Sequence, residues 1–262
     1  MQIDINCDMG ESFGSYTIGE DEKIISYITS ANIACGYHAG DPMVMDKTVR
    51  LAREYGVAVG AHPGYPDLCG YGRRNLETFP GEVVNYLLYQ IGALDAFVKA
   101  AGLTLQHVKP HGALYNLMAR DEKTAQEVIE AVKAYNPRLI LVMLAGSTGA
   151  ELASQAGLRV AREAFPDRAY LSDGSLAPRT LAGSVIHDIE AVKQRIIQLV
   201  SRGTITSLEG KTIRLKADTL CIHGDTPGAW KVARTISQAL KKAGINKIAV
   251  GNFIDTKQLQ RN

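Results

Sequence analysis

A short apolar run that stops at a histidine recurs along this chain, and each stop is followed closely by glycine. The pattern appears in Asn32-Ile33-Ala34-Cys35-Gly36-Tyr37-His38-Ala39-Gly40 and in Val57-Ala58-Val59-Gly60-Ala61-His62-Pro63-Gly64. It returns in Leu105-Gln106-His107-Val108-Lys109-Pro110-His111-Gly112 and in Thr219-Leu220-Cys221-Ile222-His223-Gly224. Short apolar, β-branched runs bounded by turn residues read as buried strands. Polar side chains at the carboxyl ends of such strands are where α/β enzymes keep their chemistry.

Helical patterns fill the intervals. Asp41-Pro42 opens one that runs to about Tyr55: the carboxylate can cap free amides, and Pro is tolerated in the first turn because its missing N–H is not needed there. Others are expected over Glu20 to Ser30, Pro80 to Ala101, Asp121 to Tyr135 and His187 to Arg202. Strand and helix alternate about seven times, which predicts a parallel sheet. Closure into a (β/α) barrel is preferred over an open sheet because no dinucleotide-binding glycine fingerprint follows any strand. The 262 residues suit a single barrel domain over 1–262. Thr204 to Lys216 breaks the rhythm and reads as a small inserted β-hairpin turning at Glu209-Gly210. Within it Ser207-Leu208-Glu209-Gly210-Lys211-Thr212 ends like a phosphate-binding loop, but Ile205 stands where the first glycine belongs.

With 29 basic and 27 acidic residues the formal charge is +2, and both signs are scattered. That balance argues against a nucleic-acid or membrane-surface partner. The acid in Met1-Gln2-Ile3-Asp4 does not fit a secretory leader, and a cytoplasmic protein is expected. Cys7, Cys35, Cys69 and Cys221 lack CxxC spacing and are expected to be free thiols.

The strand ends supply Asp8, His38, His62, Lys109, His111, Glu163, His223 and Asp225, among them four of the six histidines. In a barrel those ends converge on one mouth. Asp4, Asn6 and Asp8 alternate onto one face of the first strand, as do His107, Lys109 and His111 on a later one, which points polar groups into a cavity. Small residues on the inner faces, Ala34 and Gly36, Ala58 and Gly60, leave room for a ligand. Two chemistries fit this set. Asp8 with two of the histidines would suit zinc or another divalent ion, with Asp8, His62 and His111 the leading candidates. A metal-free site would use Asp or His as base and Lys109 against developing negative charge. His107 is read as packed lower in the barrel, His187 as a helix opener and Cys69 as a plain loop thiol.

The segments Asp4 to Gly14, Asn32 to Pro42, Gly60 to Asp67, Val108 to Asn116 and Cys221 to Asp225 resemble the LamB/YcsF family, the A subunits of bacterial 5-oxoprolinase. Glu163 to Tyr170 and Ala177-Pro178-Arg179 fit the same pattern, so the resemblance spans nearly the whole chain. It implies ATP-dependent opening of the 5-oxo-L-proline lactam to L-glutamate, with ATP as co-substrate of a complex containing two further subunits, B and C. It also implies a barrel similar to that of the glycoside hydrolases and polysaccharide deacetylases, in which a strand-one Asp and histidines hold a metal. On this basis Asp8, His38, His62, Lys109, His111 and His223 are the expected catalytic set. Glu11, Tyr65, Asp67, Glu163, Arg168 and Arg179 are the expected substrate contacts. The competing readings are a metal-dependent deacetylase acting on an N-acyl sugar and a non-enzymatic protein that binds a small molecule.

Overall fold

The computed structural model describes residues 1–178, 180–222, 224 and 228–254. Within them the chain order is β1 (Gln2–Met9), α1 (Asp21–Ile24), β2 (Ser30–Ala34), α2 (Pro42–Tyr55), β3 (Ala58–His62), α3 (Glu82–Ala100), β4 (Leu105–Val108), α4 (Gly112–Met118) and α5 (Glu122–Tyr135). It continues with β5 (Ile140–Leu144), α6 (Thr148–Gln155), β6 (Arg159–Ala164), α7 (Ile189–Arg202), β7 (Thr204–Thr206), β8 (Thr212–Arg214), β9 (Thr219–Ile222), α8 (Ala229–Lys242) and β10 (Asn246–Lys247). Strands β1, β2, β3, β4, β5, β6 and β9 pair in parallel in that order, and β9 returns to β1, so seven strands close a barrel. The short β10 adds to the amino-terminal end of β1.

Side-chain alternation on β1 sorts the two faces. Ile3, Ile5, Cys7 and Met9 are buried in the main apolar core under the helices, whereas Asp4 and Asn6 are buried on the opposite face, inside the barrel. Asp4 accepts from Thr29 and Ser30 hydroxyls at 2.7 Å and from Thr219; Asn6 Nδ2 donates to Glu163 Oε1 at 2.9 Å and to Thr219 Oγ1 at 2.7 Å. The barrel floor is apolar instead. Ile140, Val142 and Ala161 pack there with Val250, Phe253 and Ile254.

Several boundaries differ from the sequence expectation for local reasons. The helix expected over Glu20 to Ser30 shrinks to α1 and one 3₁₀ turn, Ile25–Tyr27, because Ser30 already pairs with Asn6 in the sheet. Strand β2 ends at Ala34, ahead of Gly36, which takes φ +95° to turn the chain. Helix α4 was hidden by its Pro-His-Gly approach, which reads as loop. The hairpin is present: Thr204, Ile205 and Thr206 pair antiparallel with Arg214, Ile213 and Thr212. That segment lacks the strand-to-helix geometry a phosphate-binding loop requires. All four cysteines are free, and only Cys69 is exposed.

Candidate functional site

Parallel strands all deliver their carboxyl ends to one rim, and there the last residues of β1 and β3 and the loops after β1, β2 and β4 bring Asp8, Glu11, His38, His62, Lys109 and His111 together. Beside them lies a cavity of about 250 Å³ whose wall includes Asp8, Glu11, His62, Arg73, Lys109 and His111. Tyr115, Phe165, Arg168 and Leu176 complete the opposite side.

Lys109 is the buried cation at the base. Its Nζ lies 2.8 Å from Asp8 Oδ1, 3.0 Å from Glu163 Oε1, 3.0 Å from Cys221 Sγ and 3.3 Å from Asn6 Oδ1. Burial alone would lower its pKa, but Asp8, Cys221 and Glu163 outweigh that and hold it well above the ordinary lysine value, so it is charged. The Asp8 carboxylate is thereby fixed: Oδ1 also accepts from Asn32 Nδ2 at 2.8 Å, and Oδ2 stands 3.4 Å from His62 Nε2.

The imidazoles form a second group, two of them held by backbone carbonyls. His62 Nδ1 donates to the Lys109 carbonyl at 2.5 Å, which turns Nε2 towards Asp8 and His111. His111 Nε2 donates to the Tyr71 carbonyl at 2.9 Å, which leaves Nδ1 as its lone-pair nitrogen. His62 Nε2 and His111 Nδ1 face each other at 2.9 Å. Glu11 Oε1 lies 3.6 Å from His111 Nδ1 and 3.5 Å from His38 Nε2. His38 is fully buried and stacks on His111 with ring centroids 3.7 Å apart and planes within 3°. Burial, then neighbouring imidazoles, pushes the pKa of both His38 and His111 well below the ordinary histidine value, so both are neutral. Burial raises that of Glu11, with Asp8 adding to the rise while His111 and His62 oppose it.

The other expected residues fall in different places. Glu163 is buried beneath Lys109, away from the cavity wall. Arg168 reaches the wall, but its Nη2 donates to the Ala177 carbonyl at 2.6 Å and its Nε to that of Ser184 at 3.3 Å, so it closes the loop after β6. Tyr65 is packed in the apolar core, apart from the cavity lining. Asp67 binds Arg74 Nε at 2.9 Å and the Gly70 amide at 3.0 Å, holding the loop after β3 in shape. His223 and Arg179 lie outside the described residues. His107 sits lower in the barrel, with Nε2 2.8 Å from Asn32 Oδ1, and burial drives its pKa down to about 3. The room expected at Gly60 is taken by that ring: a Cβ on Gly60 would stand 2.1 Å from it.

Sequence reasoning passed over Tyr71, Arg73 and Asn32. Tyr71 donates its hydroxyl to Glu11 Oε2 while its carbonyl orients His111, and it does so with φ +54°, unusual for a residue with a side chain. Its only sequence signal was the flanking Gly70 and Gly72. Asn32 stood at the start of an expected strand, and only pairing of Asp8 with Asn32 across β1 and β2 reveals its contact.

A closed barrel of parallel strands whose mouth gathers buried carboxylates, a lysine and neutral imidazoles defines a (β/α)-barrel protein with a polar site at the strand ends. The LamB/YcsF family pattern matches residues 3–255, and the chain belongs to that family. It is 68% identical over 251 residues to the 5-oxoprolinase A subunit of Syntrophobacter fumaroxidans, covering 96% of this chain and 99% of that one. It is 55% identical over 254 residues to the corresponding 5-oxoprolinase chain of Thermococcus onnurineus, covering 97% and 100%. Among solved structures, the lactam utilization protein of Thermus thermophilus superimposes with a TM-score of 0.92 at 51% identity, covering 95% of this chain and all of that one. A putative cellobiose-phosphate cleavage protein of Enterococcus faecalis, 12% identical with a TM-score of 0.55, shares the fold alone and covers 96% of this chain and 98% of that one.

Proposed function

We propose that this chain is the hydrolytic component of an ATP-dependent 5-oxoprolinase, opening 5-oxo-L-proline to L-glutamate in the barrel-mouth cavity. The observation that carries this is the Asp8 carboxylate, oriented by Lys109 and Asn32 on the wall of a cavity of small-molecule size. The names of relatives more than half identical to this chain support the substrate. Asp8 acts as general base on the water that attacks the lactam carbonyl carbon, and the proton it gains returns to the leaving nitrogen as the ring opens. Lys109 pairs with Asp8 and supplies positive potential close to the oxyanion. Its donors are already engaged, so it works through its field more than through a bond to substrate. Arg73, on the cavity wall, takes the substrate carboxylate, a charge-assisted pairing that an uncharged lactam lacks.

Five-membered lactams resist hydrolysis, so ATP coupling belongs to two partner subunits, B and C, which deliver an activated substrate to this cavity. The hairpin is not the nucleotide site. Glutamate release from 5-oxoproline plus ATP, measured for the chain alone, the partners alone and the three together, tests this reading. Turnover confined to the full set supports it; full turnover without this chain refutes it.

A further inference from the structure

The lactam reading uses Asp8 and Lys109 and leaves the imidazole group unexplained. His62 Nε2 and His111 Nδ1 are turned towards each other at 2.9 Å, and both rings are held from behind by the Lys109 and Tyr71 carbonyls. Beside them the buried Glu11 Oε1, and both ring nitrogens of the fully buried His38, have no hydrogen-bond partner among the described residues. Buried polar atoms are rarely left so, and a cation would take Glu11 Oε1 together with the lone-pair nitrogen of His38. Donor atoms of Glu11, His38, His62 and His111 all lie within 4.8 Å of one another.

We propose that Glu11, His62 and His111, with His38 as a fourth donor, form a divalent-cation site at the barrel mouth, and that Glu11, not Asp8, is its anionic ligand. Ligand atoms about 2.1 Å from an ion stand about 3.0 Å apart at right angles and about 3.4 Å apart at the tetrahedral angle. The observed separations are 2.9 Å for His62 to His111, 3.6 Å for His111 to Glu11 and 3.5 Å for His38 to Glu11. Charge separates the two carboxylates. Asp8 is already balanced by the Lys109 ammonium at 2.8 Å, whereas among the described residues the ion-pair partners of Glu11 are imidazoles. Tyr71 donates to Glu11 Oε2 and leaves Oε1 for the ion. A set of imidazoles with one carboxylate suits zinc, cobalt, manganese or iron over calcium or magnesium. Next to Asp8, such an ion would acidify a bound water or polarise the lactam carbonyl.

The site shares its cavity with the lactam reading and depends on it only for what the ion does. The test is therefore run without substrate or partners. The full chain is treated with chelator, returned to metal-free buffer and titrated with cobalt chloride while visible absorption and melting temperature are followed. The expected result is saturation at one equivalent with ligand-field bands, and a rise in melting temperature on binding. Glu11→Gln and His111→Asn should each weaken binding by about tenfold or more. Asp8→Asn should keep the stoichiometry and the bands. Circular dichroism confirms that each variant is folded, and Glu11→Gln, which keeps the side chain's size, guards against collapse of His111→Asn. Absence of a saturable band, wild-type affinity in folded Glu11→Gln, or loss of binding in folded Asp8→Asn would each overturn the proposal.

Discussion

Lys109 has three N–H donors and faces four acceptors within 3.3 Å, from Asp8, Glu163, Cys221 and Asn6. It is therefore a clamp before it is anything else. Replacing it with Met leaves two carboxylates without their cation inside the barrel, and removing one partner of a buried pair costs about 3–5 kcal/mol. Urea unfolding of Lys109→Met should show a loss in that range; an unchanged midpoint would mean that the ammonium does not hold the site together. His107 gives a second prediction at this scale. Its folded pKa is about 3, against about 6.5 in an unfolded chain. A depressed histidine contributes stability that is complete above the unfolded value and is lost as pH falls towards the folded one. Between pH 6.5 and 5 that loss is about 2 kcal/mol. His38 and His111 shift in the same direction, whereas Asp21, raised to about 6 by burial, opposes them. These terms cancel in a comparison of the wild type with His107→Gln. The variant should lose about 2 kcal/mol less than the wild type over that range, and parallel pH curves would contradict the assignment of a buried neutral imidazole.

At the scale of elements, strand β3 shows how far the sequence could be read. Its apolar run and its terminal His62 were legible because strand periodicity and turn chemistry are local properties. The purpose of Gly60 was not, because the His107 ring that fills its missing side chain comes from β4, and the β3–β4 register shifts at that point. Gly60→Ala should destabilise the chain by about 1–3 kcal/mol through overpacking, read from thermal or urea unfolding. A neutral effect would mean that His107 can move aside. The same division holds for the site. Asp8, His62, Lys109 and His111 could be placed at strand ends from pattern alone, whereas Glu11 was expected as a substrate contact and its place among the imidazoles was not legible. Glu11 sits in a glycine-rich loop, and its role depends on Tyr71, 60 residues away, whose carbonyl and hydroxyl tie His111 and Glu11 together. Tyr65 and Asp67 follow His62 within five residues, but the chain after His62 sends one into the core and the other to Arg74.

For the whole molecule, closure is what turns scattered histidines into one site. Alternating strands and helices implied a parallel sheet, and the ring of seven strands, with an apolar floor and a polar upper interior, converts seven loops into one rim. No helix among the described residues is long and apolar enough to cross a membrane. The hairpin, set apart from the ring as its own two-stranded sheet, has no strand-to-helix turn in which to cradle phosphate. Lys211→Ala should leave ATP consumption by the reconstituted complex unchanged, and a large fall would restore the hairpin as a nucleotide site. The central claim is that Asp8, at the mouth of this barrel, performs the hydrolysis. It is tested most directly by the rate of glutamate release from 5-oxoproline by complexes reconstituted with the wild-type chain or with Asp8→Asn, at matched melting temperature. Loss of a positioned general base should lower that rate by about 10²- to 10⁴-fold. A folded Asp8→Asn complex releasing glutamate at the wild-type rate would contradict the account.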